Sequence, residues 1–172
     1  MRILVANDDG IESEGIKTLA KVLSKRHKVT IVAPDGNRSA FSHSLTISKN
    51  LTFREVKISD DFDAYAVSGT PADCVKFALH YFTDEKFDMV CSGINMGNNL
   101  GSDIMYSGTV AAAVEANFLG LKSIAFSNTG RKDFDFSENA VVIEKIFDKL
   151  AAITSTEYAL NVNLPNYAPK GV

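Results

Sequence analysis

The sequence predicts an α/β fold: one domain over residues 1–172, built on a doubly wound, mostly parallel sheet. Two observations predict it. Short apolar runs of strand length alternate with longer stretches of helical period, and strands that alternate with helices need crossovers, which favour parallel pairing. In addition, the run at 2–7 (RILVAN) is apolar almost throughout rather than every second residue, as a strand covered on both faces requires.

Each element follows from a local signal. After the first strand, a helix over 15–26 carries Ile16, Leu19, Ala20 and Leu23 on one side and Lys17, Lys21 and Lys25 on the other. HKVTIVAP is a second strand, closed by Pro34. Residues 43–58 alternate apolar and polar side chains in two pieces, which predicts antiparallel strands or an extended β excursion. AYAVSGTP ends a further strand, and Pro71 opens the helix PADCVKFALHYF with Thr70 as its N-cap. FDMVCSGIN is another buried strand and runs into the loop NMGNNLGSD. An alanine-rich helix over 108–119, the strand SIAFSN, the helix ENAVVIEKIFDKLAAI and the strand ALNVNLP complete the chain. Repeats, low-complexity segments and linkers are absent from the sequence.

Composition narrows the function classes. The chain has 172 residues, of which 45% are hydrophobic and 23% charged, and such a length buries roughly 70% of the unfolded surface without staples. A net charge of −3 and a pI near 5.6 argue against duplex nucleic acid as a partner. No apolar run approaches the ~18 residues of a membrane span, and MRILVANDDG lacks the parts of a signal peptide. Cys74 and Cys91 sit in no CxxC and in no metal-ligand spacing, which suits a reducing cytosol. The expected protein is cytoplasmic, with no membrane partner.

In a doubly wound sheet the ligand lies beyond the carboxyl ends of the strands, so the polar clusters just after strands are the candidates. Asp8 and Asp9 follow the first strand, and Gly10 allows the chain to turn so that both carboxylates converge. Converging carboxylates repel unless a cation lies between them. A hard divalent ion, Mg²⁺ or Mn²⁺, prefers oxygen ligands, and Ser39 and Asn95 at two other strand ends are suitable neutral ones. The alternative for the acidic pair is a cap on the helix near residue 15. The turn Ser107-Gly108-Thr109 opens an alanine-rich helix, where free amides and the positive end of the helix dipole favour an anion such as phosphate; alternatively Ser107 is an N-cap only.

Other polar residues carry weaker signals. Glu115 reads as part of a solvated face. Glycines 93, 97 and 101 match neither GxGxxG nor a P-loop, so a dinucleotide site is a poor reading. Asn98 and Asn99 suit contacts to a small anion, or a turn. His27 and His80 read as structural, His43 is near enough to Ser39 in sequence to reach the site, and Cys91 reads as core. Arg38 either neutralises phosphate or lies on the surface.

MRILVANDDGIESEGI, APDGNRSAFSHSLT, VSGTPADCV and SGINMGNNLGSDIMYSGTVAAA, in order across residues 1–128, resemble the SurE (survival protein E) family of metal-dependent nucleoside 5′/3′-monophosphate phosphatases. The resemblance implies a Rossmann-like, SurE-like sheet. It implies one divalent ion per subunit held by Asp8, Asp9, Ser39 and Asn95, with Asp8 and Asp9 catalytic. It further implies that Asn95, Gly97 and Asn98 in the 95–98 loop, with Ser107, Gly108 and Thr109, hold the substrate phosphate. Short polyphosphate is an additional implied substrate, and a homodimer or homotetramer the implied assembly. Two departures stand out: Ala40 where the family often has glycine, and an end at Val172, where relatives continue into an exchanged C-terminal arm that the chain is expected to lack.

Three function classes follow. The first is a Mg²⁺- or Mn²⁺-dependent phosphomonoesterase acting on nucleoside monophosphates, by attack of water or through an aspartyl-phosphate on Asp8. The second is a silent nucleotide- or metal-binding module or a response-regulator-like module, though AVSGTP and CSGIN supply no phospho-accepting aspartate. The third, a haloacid-dehalogenase-like phosphatase, needs DxD rather than adjacent aspartates.

Overall fold

The structure is a computed structural model and describes residues 1–84, 86–130 and 135–165; the last motif beyond residue 165 lies outside them. Its elements run β1 (Arg2–Ala6), α1 (Glu14–Ser24), β2 (Lys28–Pro34), β3 (Phe53–Glu55), β4 (Asp63–Val67), α2 (Pro71–Tyr81) and β5 (Met89–Met96). A short 3₁₀ turn (Gly101–Met105), α3 (Gly108–Phe118), β6 (Lys122–Asn128), α4 (Phe136–Ile153) and β7 (Leu160–Leu164) follow. The predicted helices and the parallel strands are all present, with ends shifted by a few residues.

The sheet order is β3-β4-β2-β1-β5-β6-β7. All pairings are parallel except β3 with β4. Alternation of side chains across the central strand explains its unbroken apolar run. Ile3 and Val5 join Ile16, Leu19 and Leu23 of α1 and Ile143 and Phe147 of α4 on one face. Leu4 and Ala6 join Val75 and Ala78 of α2 and Ala112 and Ala116 of α3 on the other.

The chain moves outward from β1 through β2 to β4, then returns to place β5 on the opposite flank of β1. The direction of winding therefore reverses between β1 and β5, and the crevice beyond their carboxyl ends is the topological switch point. Asp8 and Asp9 leave one of these strands; Asn95 lies on the other, paired with Ser127 of β6 just past a register shift between Ser92 and Asn95.

The β excursion is smaller than the alternation predicts. Only Phe53–Glu55 pairs, antiparallel to β4, and all three residues are exposed at the sheet edge. Residues 43–52 form no strand: Ser44 and Thr46 are held by the start of α2, and Thr52 bonds Ser68 just past β4. The Thr46 amide donates to the Asp73 carboxylate at 3.1 Å, and the Thr70 hydroxyl donates to the Ser44 carbonyl at 2.7 Å. Thr70 caps α2 as predicted, in a reciprocal box in which Asp73 accepts from the Thr70 amide at 2.9 Å.

Asp73 thus joins the start of α2 to the segment that follows β2, and it is 5% exposed. Replacing it by alanine leaves the buried Thr70 amide and the half-buried Thr46 amide without acceptors. Asp73→Ala is expected to cost about 2 kcal/mol in urea unfolding; a loss under about 0.5 kcal/mol would show that the box contributes little beyond an ordinary surface cap.

Candidate active site

Beyond β1 the chain turns sharply, and Asn7 makes the turn rigid. Its buried side-chain amide donates to the Gly10 carbonyl at 2.9 Å and to the Ser13 hydroxyl at 2.7 Å, while its Oδ1 accepts from the Gly10 amide at 3.2 Å. Gly10 adopts φ 99°, which a side chain would resist. Ser13, not the acidic pair, occupies the N-cap position of α1. The capping alternative for Asp8 and Asp9 therefore fails, and their carboxylates are free for other work.

Asp8 is 4% exposed. The Thr109 hydroxyl donates to its Oδ1 at 2.5 Å, and the amides of Gly108 and Thr109 at the start of α3 favour its charged form. Burial outweighs these bonds and holds its pKa above the ordinary carboxylate value. Such close approach needs the glycine at 108, where a Cβ would lie 2.6 Å from the Cβ of Asp8. Asp9 is half-buried and accepts weakly from the Met96 amide at 3.4 Å. Burial, then the neighbouring charge of Asp8, push Asp9 up to about 6. Neither carboxylate has an ion-pair partner among the described residues.

Asp8, Ser39, Asn95 and Ser107 line one cleft of about 270 Å³, together with Ala40, Met96, Asn99, Asp103 and Tyr106. Four strand or helix ends supply these side chains, so the structure unites sequence positions up to 99 residues apart. Asn95 donates its amide to the Gly97 carbonyl at 2.8 Å, which leaves its Oδ1 as the acceptor open to the cleft. Ser39 follows a backbone bond from the Arg38 amide to the Asp8 carbonyl at 2.7 Å, so the loops after β1 and β2 are stitched together at the site. Ser107 caps α3 by accepting from the Val110 amide at 3.1 Å, and its own hydroxyl proton remains available. The capping reading of Ser107 thus holds, and it leaves the hydroxyl free to donate to a second partner.

Other predicted residues take different places. Gly97 is half-buried and Asn98 exposed, outside the cleft lining, and Asn99 is the buried member of the pair. Asn99 donates to Ser127 at 2.8 Å and receives the side chains of Asn161 and Asn163 on its carbonyl. Arg38 is ion-paired to Asp35 at 2.6 Å. His43 bonds Glu115 at 2.7 Å, and Glu115, expected on a solvated face, is 5% exposed. Asp103 and Tyr106 in the cleft lining went unpredicted; their nearness to the Ser107 turn was the available signal. Larger grooves along α1, of about 510 and 420 Å³, carry lysines already ion-paired, Lys25 in one and Lys17 in the other.

The donor set fits a hard divalent cation. The Asp8 carboxylate, the Ser39 hydroxyl and the Asn95 amide share one cleft whose lining holds no basic side chain, and Asp9 stands next to Asp8 outside that lining. Among the described residues no three histidines, cysteines, aspartates or glutamates gather elsewhere as a rival centre.

The chain matches the family model described as "Survival protein SurE" over residues 3–172. It is 42% identical over 172 residues to the protein named 5′-nucleotidase SurE of Pseudothermotoga lettingae, covering 99% of this chain and 66% of that protein. The protein of the same name from Histophilus somni is 48% identical over 167 residues, covering 96% of this chain and 65% of its own length. A crystal structure of the SurE protein from Aquifex aeolicus superposes with a TM-score of 0.86 at 44% identity, covering 97% of this chain and 67% of that one. The chain spans about two thirds of the length of the curated relatives it matches.

The cost of holding Asp9 charged, from burial first and the Asp8 charge second, is directly measurable. Asp9 binds its proton more tightly in the fold, about 6 against an ordinary 3.8, so its charge costs stability above pH 6 and nothing below 3.8. Asp9→Asn is expected to stabilise the metal-free protein by about 1 kcal/mol near neutral pH, a value reduced by its partial exposure. The gain should vanish near pH 3.5 in a pH series of thermal melts; a gain that does not change with pH would contradict the raised pKa of Asp9.

Proposed function

This chain belongs to the SurE family, and from that premise we propose that it is a divalent-metal-dependent phosphomonoesterase. Its substrates are nucleoside 5′- and 3′-monophosphates, which it cleaves to nucleoside and phosphate, and short polyphosphate is a further substrate. The relatives named 5′-nucleotidase SurE support the reaction class.

One observation carries the metal dependence. The cleft holds the Asp8 carboxylate beside Asp103 and has no lysine, arginine or histidine in its lining. A phosphate dianion meets only like charge there unless a cation is bound between. Asp8, Asp9, Ser39 and Asn95 would hold one Mg²⁺ or Mn²⁺ per subunit. Such an ion supplies Lewis-acid polarisation of the phosphoryl oxygens and charge neutralisation.

The protein's own groups do the rest. The Ser107 hydroxyl receives a phosphoryl oxygen, and the Gly108-Thr109 turn, whose amides already face Asp8, adds the positive end of the α3 dipole to stabilise the charge that develops. Gly97 and Asn98 contribute from the rim of the same loop as Asn95. Asp8 and Asp9 orient the attacking water. Water is the nucleophile in this reading, because Asp8 is already held in place by the Thr109 hydroxyl and the first amides of α3 and serves as a ligand.

No helix among the described residues is long and apolar enough to cross a membrane. Cys74 and Cys91 are free and buried, which supports a reducing, cytoplasmic setting. The assembly we propose, on family resemblance, is a homodimer or homotetramer.

Phosphate release from a panel of nucleoside 5′- and 3′-monophosphates, with Mn²⁺, Mg²⁺ or EDTA, tests the reading. Release is expected with metal and absent with EDTA, and Asp8→Asn is expected to lower kcat by about 1,000-fold or more. Hydrolysis in oxygen-18 water should label the phosphate without a trappable acyl-phosphate. Full activity in EDTA, or in Asp8→Asn, would overturn the proposal.

A further inference from the structure

Glu115 is a buried carboxylate that the proposed reaction does not use. It sits two turns into α3, among alanines, and is 5% exposed. Two basic side chains reach it from different parts of the chain. The His43 ring nitrogen Nε2 lies 2.7 Å from its Oε2, and Lys76 of α2 lies 3.4 Å from its Oε1. A carboxylate can only accept, so His43 donates through Nε2–H. The His43 ring also stacks on Phe118, one turn further along α3, with centroids 5.7 Å apart and planes 11° from parallel.

His43 stands four residues after Ser39, and the backbone between them is strained. Ala40 has φ 61° and Ser42 φ 52°, both in the left-handed region that non-glycine residues resist at roughly 1–2 kcal/mol each. Conformations of this kind persist only where the surroundings hold both ends. At one end the Arg38 amide is bonded to the Asp8 carbonyl at 2.7 Å. At the other, the Ser42 amide makes a long bond to the Tyr106 carbonyl at 3.2 Å, and His43 is fixed on Glu115. The family resemblance places glycine at position 40, where the left-handed turn would carry no such strain. Alanine makes this chain depend more on its anchors.

We propose that His43 and Glu115 are positioning residues: their hydrogen bond clamps the strained 39–42 turn onto α3 and so holds the Ser39 hydroxyl in the cleft beside Asp8. The inference rests on the reading of Ser39 as a metal ligand. Both Asp8 and the clamp are referred to the same helix, one at its first turn and one two turns on. Ser39 and the carboxylates therefore keep their spacing as a unit. Lys76 balances the remaining charge of Glu115 and leaves His43 free of that task.

Mn²⁺ affinity of the otherwise metal-free protein, measured by titration calorimetry, tests this without any turnover. His43→Ala is expected to weaken Mn²⁺ binding about 10-fold, the lower end of the usual cost of losing a group that orients a ligand. In a Ser39→Ala background the same change should cost almost nothing, since the ligand that it positions is already gone. His43→Gln, whose amide can donate to Glu115 without stacking on Phe118, should recover most of the affinity. Unaltered Mn²⁺ binding in folded His43→Ala would overturn the proposal, as would a loss that simply adds to that of Ser39→Ala. A wild-type protein that binds no Mn²⁺ would instead overturn the metal reading on which it rests.

Discussion

Keeping the Asp8 carboxylate charged while it is almost fully out of water is the constraint to which the neighbouring elements answer. Taking an ion out of water costs several kcal/mol, and the return comes from the Thr109 hydroxyl and the first amides of α3. Those groups reach Asp8 only because residue 108 lacks a side chain. The same glycine also lies close to Pro71, which opens α2, so two helix starts and one strand end meet at a single carboxylate. A second carboxylate beside it is then a deliberate source of instability. Burial and the neighbouring charge of Asp8 both raise Asp9, so a cation bound there, as proposed, would be favoured in part by relieving that cost.

The fold was legible because its signals are local. An apolar run covered on both faces, a capped helix with proline at its first position, and alternation of the two along the chain need no knowledge of partners. The acidic pair was legible for a related reason: strand ends in a doubly wound sheet are brought together by topology, so Asp8, Asp9, Ser39 and Asn95 could be grouped before any contact was known. What stayed hidden depends on contacts between distant segments. Glu115 reads as solvated because nothing within its own helix shows that His43, 72 residues earlier, lies over it. Thr109 reads as a phosphate donor, yet its hydroxyl proton goes to Asp8, 101 residues away, and its amide faces the same carboxylate. The alternation at 43–52 resembles a strand, but the start of α2 holds its backbone at Ser44 and Thr46.

Asn98 and Asn99 illustrate the same limit at the scale of one peptide unit. Adjacent identical side chains cannot be ranked by composition, and the partners on β6 and β7 decide which one is buried. Asn99 is the one locked in place, and Asn98 is left at the rim.

That lock also sets an order of events during synthesis. The Asn99 amide donates to the side chain of Asn163, and its carbonyl receives Asn161 and Asn163, all from β7. A nascent chain that has emerged only as far as β6 already has the central strands, both aspartates and the Asn99 bond to Ser127, yet the wall of the cleft formed by the 96–103 loop still lacks its three bonds to β7. Domains fold as their residues leave the ribosome, so the acidic pair is in place well before the pocket around it closes. A ribosome stalled before β7 would display the aspartates on an unfinished crevice.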